Sequence, residues 1–334
     1  MTAVGVGVDV GGLLVAVVAL WYGSRYLVDG AVRIARRVGL SELVIGLTIV
    51  ALGTSMPELV VTSDAALAGL GDIAVGNVVG SNSYNLAVVL GIVALFRRLP
   101  VDRAVVRRDG LVMLVATVVG LVFVSDLTIT RPEGGLLVGG LIAYLAYLAR
   151  SGAGPAPSGD SPVTASSALW REAAAVVAGL ALVIAGGHLL VMTASDIARF
   201  FGVPAWAIGA TIVAAGTSTP EVAVSLVALR QGRVGVSLGN VVGSNVVNLL
   251  GALGVAALLR PLEFAPAAVT EALWLLGLSS GDLLVLWTRR SLSRPEGGLL
   301  VVSEAIRWAS EFLPRWSVQI TTDPPIHGYY VTAN

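Results

Sequence analysis

The chain has 334 residues, 56% apolar and 13% charged, whereas a soluble domain carries about 25% charged residues; a soluble globular protein is excluded. Its 21 basic and 21 acidic residues balance to zero net charge, so no nucleic-acid partner is implied. Every basic residue is Arg, and the lack of Cys excludes disulfides and thiolate metal sites.

Ten apolar segments follow in chain order, near 3–27, 41–68, 73–96, 106–125 and 132–149, then 170–198, 204–229, 235–259, 265–287 and 297–313. Many reach the roughly 20 residues that cross a bilayer as a helix. No basic n-region or cleavage site precedes the first, so residues from Thr2 onward read as a membrane helix rather than a removed signal peptide. The expected fold class is an all-α polytopic membrane protein with about ten transmembrane helices.

The segments form one unit used twice. Aligned at an offset of 163 residues, Gly46–Gly91 and Gly209–Gly254 are identical at 24 of 46 positions without a gap. The same offset carries Ile34-Ala35-Arg36 onto Ile197-Ala198-Arg199, and Arg131–Val138 onto Arg294–Val301, both reading RPEGGLLV. Residues 1–150 form the first five-helix repeat and 168–313 the second. A Gly-, Pro- and Ser-rich linker at 151–167 joins them, and 314–334 is a tail without functional signal. Five is odd, so the second copy enters the membrane from the opposite side. That is an inverted-topology repeat, whose substrate site lies where the halves meet near mid-membrane. With the N-terminus outside, 16 of the 21 Arg residues fall in inner loops, among them Arg103, Arg107, Arg108 and Arg290. The positive-inside rule then puts both termini outside and the linker in the cytoplasm.

The second and seventh segments each carry a polar island at mid-depth. One reads Ala51-Leu52-Gly53-Thr54-Ser55-Met56-Pro57-Glu58, and its copy reads Ala214-Ala215-Gly216-Thr217-Ser218-Thr219-Pro220-Glu221. A lone acidic residue at that depth costs about 2.5–3.5 kcal/mol on insertion scales. Pro57 and Pro220 break or kink the helix, freeing carbonyls around Ala51–Thr54 and Ala214–Thr217. Such carbonyls are tolerated only inside protein or beside a cavity. Together with hydroxyls and a carboxylate they form an all-oxygen set suited to hard cations such as calcium or sodium. Two ionised glutamates facing one cavity are neutralised by a single Ca²⁺.

The third and eighth segments add GNVVGSN at Gly76–Asn82 and Gly239–Asn245. Ser81 with Asn85, and Ser244 with Asn248, lie four apart on one helical face and can complete a cation shell. For Asn77, Asn240, Asn82 and Asn245 two roles stay open: cation ligand, or hydrogen bonding that holds helices together. Ser303, Glu304, Arg307 and Glu311 interrupt the last apolar segment. Glu304 and Arg307, three apart, can pair, or the helix lies partly at the membrane interface.

The paired motifs GTSMPE and GTSTPE, each followed by GNVVGSN, resemble the alpha repeats of the sodium/calcium exchanger family, at 46–91 and 209–254. The resemblance implies that Glu58 and Glu221 bind calcium together with the carbonyls of Thr54 and Thr217. It further implies flanking sodium sites made by the carbonyls of Ala51 and Ala214 with Ser55, Ser81, Ser218 and Ser244. It implies exchange of several sodium ions for each calcium, by a functional monomer without a cofactor, through sliding of the first and sixth helices over a fixed core. Asn at both 85 and 248 is similar to the potassium-independent type. The short linker leaves no room for a calcium-sensing domain. Proton/calcium exchange is the runner-up within this class, and a passive cation channel is the alternative from another class. An intramembrane hydrolase has no supporting motif.

Overall fold

The computed structural model describes residues 3–101, 103–151, 169–201, 212 and 214–322. The linker from residue 152 onward, most of the first half of the seventh segment and the end of the tail lie outside the described residues. Helix α1 (Ala3–Val38) opens the chain. The second segment is split into α2 (Glu42–Thr54) and α3 (Met56–Ala68), bent by 45°. Helix α4 (Gly71–Phe96) follows, then β1 (Leu99–Pro100). A turn at Arg103–Val105 and a π-helical turn at Val106–Gly110 lead into α5 (Leu111–Val124). After β2 (Thr128–Ile129) comes α6 (Arg131–Ser151).

The second half holds α7 (Leu169–Phe200), the short α8 (Ala214–Thr217), α9 (Thr219–Arg230) and α10 (Val234–Leu259). It ends with β3 (Leu262–Glu263), α11 (Ala267–Arg289), β4 (Ser291–Leu292) and α12 (Arg294–Thr322). Among the described residues six helices are long and apolar enough to cross a membrane, and the bent α2–α3 pair makes a seventh. The molecule is thus helical, as its composition requires, apart from two ribbons of two-residue strands. Helical periodicity carries no signal for pairings that short.

The ribbons join the halves crosswise. Strand β1 pairs antiparallel with β4 (Leu99 opposite Leu292), and β2 with β3 (Ile129 opposite Leu262). Adding 163 to one ribbon's first strand gives the other ribbon's partner strand. The tight turns obey the same rule: Leu127 and Arg290 both have positive φ, 66° and 50°, rare for residues with a Cβ. In each RPEGGLLV copy the glutamate caps its own helix. Glu133 accepts from the Thr130 amide at 2.7 Å, and Glu296 from the Ser293 amide at 2.8 Å. Helices α6 and α12 then cross to the opposite repeat. A Cβ built on Gly134 would lie 2.8 Å from the Gly254 carbonyl, and one on Gly91 2.8 Å from that of Gly297.

Helices α1 and α7 run antiparallel in close contact, because small residues line both faces. A Cβ on Gly179 would sit 2.4 Å from the Leu27 amide nitrogen, and one on Gly23 2.9 Å from the Gly179 carbonyl. Further along, Gly186 meets Ala16 and Gly30 meets Val176. Arg37 pairs with the buried Glu172 at one end of this contact.

The last helix takes the pairing reading of its charges. Arg307 donates through Nε to Glu304 at 3.1 Å and through Nη1 to Glu271 of α11 at 2.7 Å. Glu304 also accepts from Trp274 Nε1 at 3.0 Å and is 1% exposed. Arg307→Leu is therefore expected to destabilise the protein by about 3–5 kcal/mol, since it leaves a buried carboxylate without its counter-charge. Thermal unfolding of the detergent-solubilised variant checks this, with Glu304→Gln in the same chain restoring most of the loss.

Candidate cation site

The two broken helices meet at their breaks. Ser55 (φ −81°, ψ 5°) and Ser218 (φ −89°, ψ 6°) both leave helical geometry, one residue before the next helical segment begins. These dihedrals belong to the sparsely occupied bridge region, which recurs at functional sites. Pro57 and Pro220 fall in the first turns of α3 and α9, where a missing N–H is harmless. The Ala51 carbonyl stays engaged through the bend, accepting from the Ser55 amide at 3.0 Å and from Thr54 Oγ1 at 3.4 Å. Gly53, four residues before Pro57, is the carbonyl that loses its usual donor.

Neither serine uses its hydroxyl to cap its own helix. Each donates instead to the glutamate of the other repeat. Ser218 Oγ reaches Glu58 Oε1 at 3.1 Å, and Ser55 Oγ reaches Glu221 Oε1 at 3.4 Å. Ser244 Oγ on α10 also donates to Glu221 Oε1, at 3.4 Å. Both glutamates are fully buried. The ion pairs of the described residues all lie elsewhere, and Glu58 Oε2 and Glu221 Oε2 have no hydrogen-bond partner among those residues. Two buried carboxylates without a protein counter-charge call for cations or protons.

Close packing of α10 on α2 builds one wall. A Cβ on Gly239 would lie 2.5 Å from the Leu43 carbonyl, and one on Gly243 2.7 Å from the Ala51 Cβ. At that separation Thr54 Oγ1 donates to Asn240 Oδ1 at 3.0 Å and lies 3.4 Å from Ser244 Oγ. Asn240 Nδ2 in turn donates to the Glu221 carbonyl (3.3 Å) and to Ser225 Oγ (3.0 Å). Asn77 repeats this on the Glu58 carbonyl (3.3 Å) and Thr62 Oγ1 (2.9 Å). The two asparagines are clamps that fix each glutamate's helix on its neighbour. Of the roles left open for them, hydrogen bonding between helices is the one seen. Thr62 and Ser225 carry a sequence signal of their own: both bear a hydroxyl four residues after the glutamate, at the repeat offset.

The remaining predicted residues spread around this centre. Asn248 Nδ2 donates to Asn82 Oδ1 at 3.1 Å, and Asn82 Nδ2 donates to the Asn245 carbonyl at 3.1 Å, which ties α4 to α10. Asn85 is buried with both amide atoms unpartnered among the described residues, and Asn248 Oδ1 is likewise unpartnered. Ser81 is buried on α4 and donates to neither carboxylate. Thr217 and Ala214 bound α8, which packs against α4 and α7. Among the described residues no group of three or more His, Cys, Asp or Glu side chains gathers. Cation binding here would rest on two carboxylates supplemented by neutral oxygens, the donor set of a hard ion.

Broken helices that hold buried carboxylates and amide and hydroxyl oxygens at their breaks define the class of secondary cation transporters. The family model described as "Sodium/calcium exchanger protein" matches residues 8–150 and 172–303. A putative antiporter, CaxA of Alkalimonas amylolytica, is 37% identical over 308 residues, covering 87% of this chain and 94% of that protein. The sodium/calcium exchanger MaX1 of Methanosarcina acetivorans is 31% identical over 292 residues, covering 76% and 83%. The structure of the sodium-calcium exchanger NCX_Mj soaked with 2.5 mM Na⁺ and 10 mM Sr²⁺ is similar, with a TM-score of 0.80 at 31% identity. That match covers 91% of this chain and 99% of the other. The chain belongs to the sodium/calcium exchanger family: it is a membrane cation/calcium antiporter, not an enzyme.

Proposed function

We propose that this protein exchanges sodium for calcium by alternating access and uses the sodium gradient to expel calcium. The observation that carries the reading is the reciprocal bonding of Ser218 to Glu58 and Ser55 to Glu221, with the second oxygen of each carboxylate free of donors among the described residues. One Ca²⁺ between the carboxylates neutralises both, so the loaded centre crosses the membrane barrier without net charge. Sodium ions can satisfy the same oxygens one at a time, and competition for shared ligands couples the two fluxes. Glu58 and Glu221 with the Thr54 and Thr217 carbonyls form the calcium site. The carbonyls of Ala51 and Ala214 with Ser55, Ser218, Ser81 and Ser244 serve sodium, and Asn85 and Asn248 complete the polar lining.

The architecture in this reading is ten helices in two inverted repeats, 1–150 and 168–313, joined by the 151–167 linker. The crosswise ribbons support it: β1 and β2 lie at opposite ends of α5, yet each pairs with the strand equivalent to the other. Both termini lie outside, following the arginine distribution, and the working unit is a monomer in the bilayer.

The test is calcium-45 uptake into proteoliposomes loaded with sodium and diluted into sodium-free buffer. Uptake that requires the sodium gradient establishes the reading. Uptake driven instead by a proton gradient moves the coupling ion to the proton, and steady single-channel current would make the protein a channel. Ser218→Ala is expected to raise the calcium concentration for half-maximal exchange about tenfold, as a hydrogen bond to a charged group contributes roughly 1.5–3 kcal/mol. The same assay run as a calcium titration checks it.

A further inference from the structure

Away from the cation site, one end of α5 carries charge that no ion pair of the described residues neutralises. Arg103, Arg107 and Arg290 are exposed, and none of them belongs to an ion pair of the described residues. The three line a single small pocket with Leu286 and Trp287, where the Arg107 guanidinium carbon stands 5.2 Å from the Trp287 ring centre. Arg290 is held there by its left-handed backbone, φ 50°. The next residue, Arg108, is different. Its guanidinium is bound to the buried Asp109 at 2.8 Å, and Asp109 also accepts from Tyr144 Oη at 3.0 Å.

Arg107 also stands at the mouth of a second cavity of about 610 Å³ between α5 and α6. Leu111, Val115, Val119 and Leu136 form its walls, Leu250 lines it as well, and the Arg108–Asp109–Tyr144 cluster contributes Arg108 and Tyr144 beside Arg107. Val115 and Leu136 are 59% and 68% exposed, so the groove opens sideways to the hydrocarbon. A basic, aromatic-lined pocket and an apolar groove thus lie on either side of one shared residue, Arg107. That matches a molecule with an anionic head and an acyl tail, since basic pockets between membrane helices hold phosphate headgroups. A free phosphate would leave the apolar walls of the groove unfilled.

We infer that this face binds one anionic phospholipid, with its phosphate on Arg103, Arg107 and Arg290 and an acyl chain along the α5–α6 groove. The site is independent of which ion drives exchange.

The test uses the full-length protein in detergent, titrated with phosphatidylglycerol or phosphatidylcholine carrying brominated acyl chains. The readouts are lipid retained in native mass spectrometry and the part of tryptophan quenching that Trp287→Phe removes. Phosphatidylglycerol is expected to saturate at one per protein. The triple variant Arg103→Gln, Arg107→Gln, Arg290→Gln should bind it about 100-fold more weakly, with the corresponding triple Lys variant retaining most of the affinity. If the triple Gln variant fails to fold, Arg290→Gln alone decides, with an expected loss of about fivefold. Equal binding of the two lipids would overturn the inference, as would full displacement by millimolar inorganic phosphate. So would an equal loss in the Arg33→Gln, Arg36→Gln control, which removes charge from a different cluster.

Discussion

Glu58→Gln and Glu221→Gln are each expected to weaken calcium binding by about 10³-fold or more and to abolish measurable exchange, while the protein still folds and inserts. Each carboxylate is fully buried, accepts from a serine of the opposite repeat, and has no basic partner among the described residues. Replacing one by an isosteric amide removes a unit charge next to the ion. At about 4 Å and an effective dielectric of about 20, that charge contributes about 4 kcal/mol per unit of ion charge, and a thousandfold in affinity is about 4 kcal/mol. Folding should not suffer, because the amide spares the desolvation of an unpaired buried carboxylate. Two measurements separate these effects. Calcium should raise the unfolding temperature of the unsubstituted protein through linkage, and both variants should lose that rise without unfolding earlier in calcium-free buffer. Calcium exchange at the normal rate in both variants would remove the central assignment.

Gly239→Val should be the most damaging substitution that touches no ligand. Even a Cβ at this position would lie 2.5 Å from the Leu43 carbonyl and 2.9 Å from the Leu47 amide nitrogen, both backbone atoms that no rotamer change can clear. Valine forces α10 away from α2, and overpacking of this kind costs about 1–3 kcal/mol or more. The displacement also pulls Asn240, the next residue, off the Glu221 carbonyl and Ser225. The expected outcome is therefore a double loss: a lower unfolding temperature and at least about tenfold weaker calcium affinity. Thermal unfolding and calcium-45 exchange, measured on Gly239→Val beside the unsubstituted protein, test both losses.

Much of this molecule is determined by the linear chain because membrane helices depend so heavily on composition. Apolar length sets the spans, the 163-residue offset identifies equivalent positions, and an acidic residue beside Pro at mid-span marks the two glutamates, since nothing else makes such a residue tolerable there. The third-helix motif followed for the same reason: small residues and amides at helical spacing are what close, hydrogen-bonded helices require. The charges of the last helix were half legible. The i,i+3 spacing of Glu304 and Arg307 permits a pair, but Glu271 and Trp274, which complete it, come from another helix.

What only the tertiary structure decided is every contact that crosses from one repeat to the other. From the sequence, Ser55 and Ser218 are hydroxyls of the polar islands, each beside the glutamate of its own repeat. That each instead serves the opposite glutamate depends on two breaks meeting in space. Asn77 and Asn240 clamp neighbouring helices inside each repeat, and that too is a matter of packing. An asparagine on one helix can be a ligand or a brace, and the choice is made by which carbonyl the neighbouring helix presents. Periodicity and composition are properties of single segments, and they point to the class, to the sequence repeat and to two buried acidic candidates. The partners of those carboxylates are properties of packing distance, set where glycines such as Gly239 and Gly243 let two backbones come within contact.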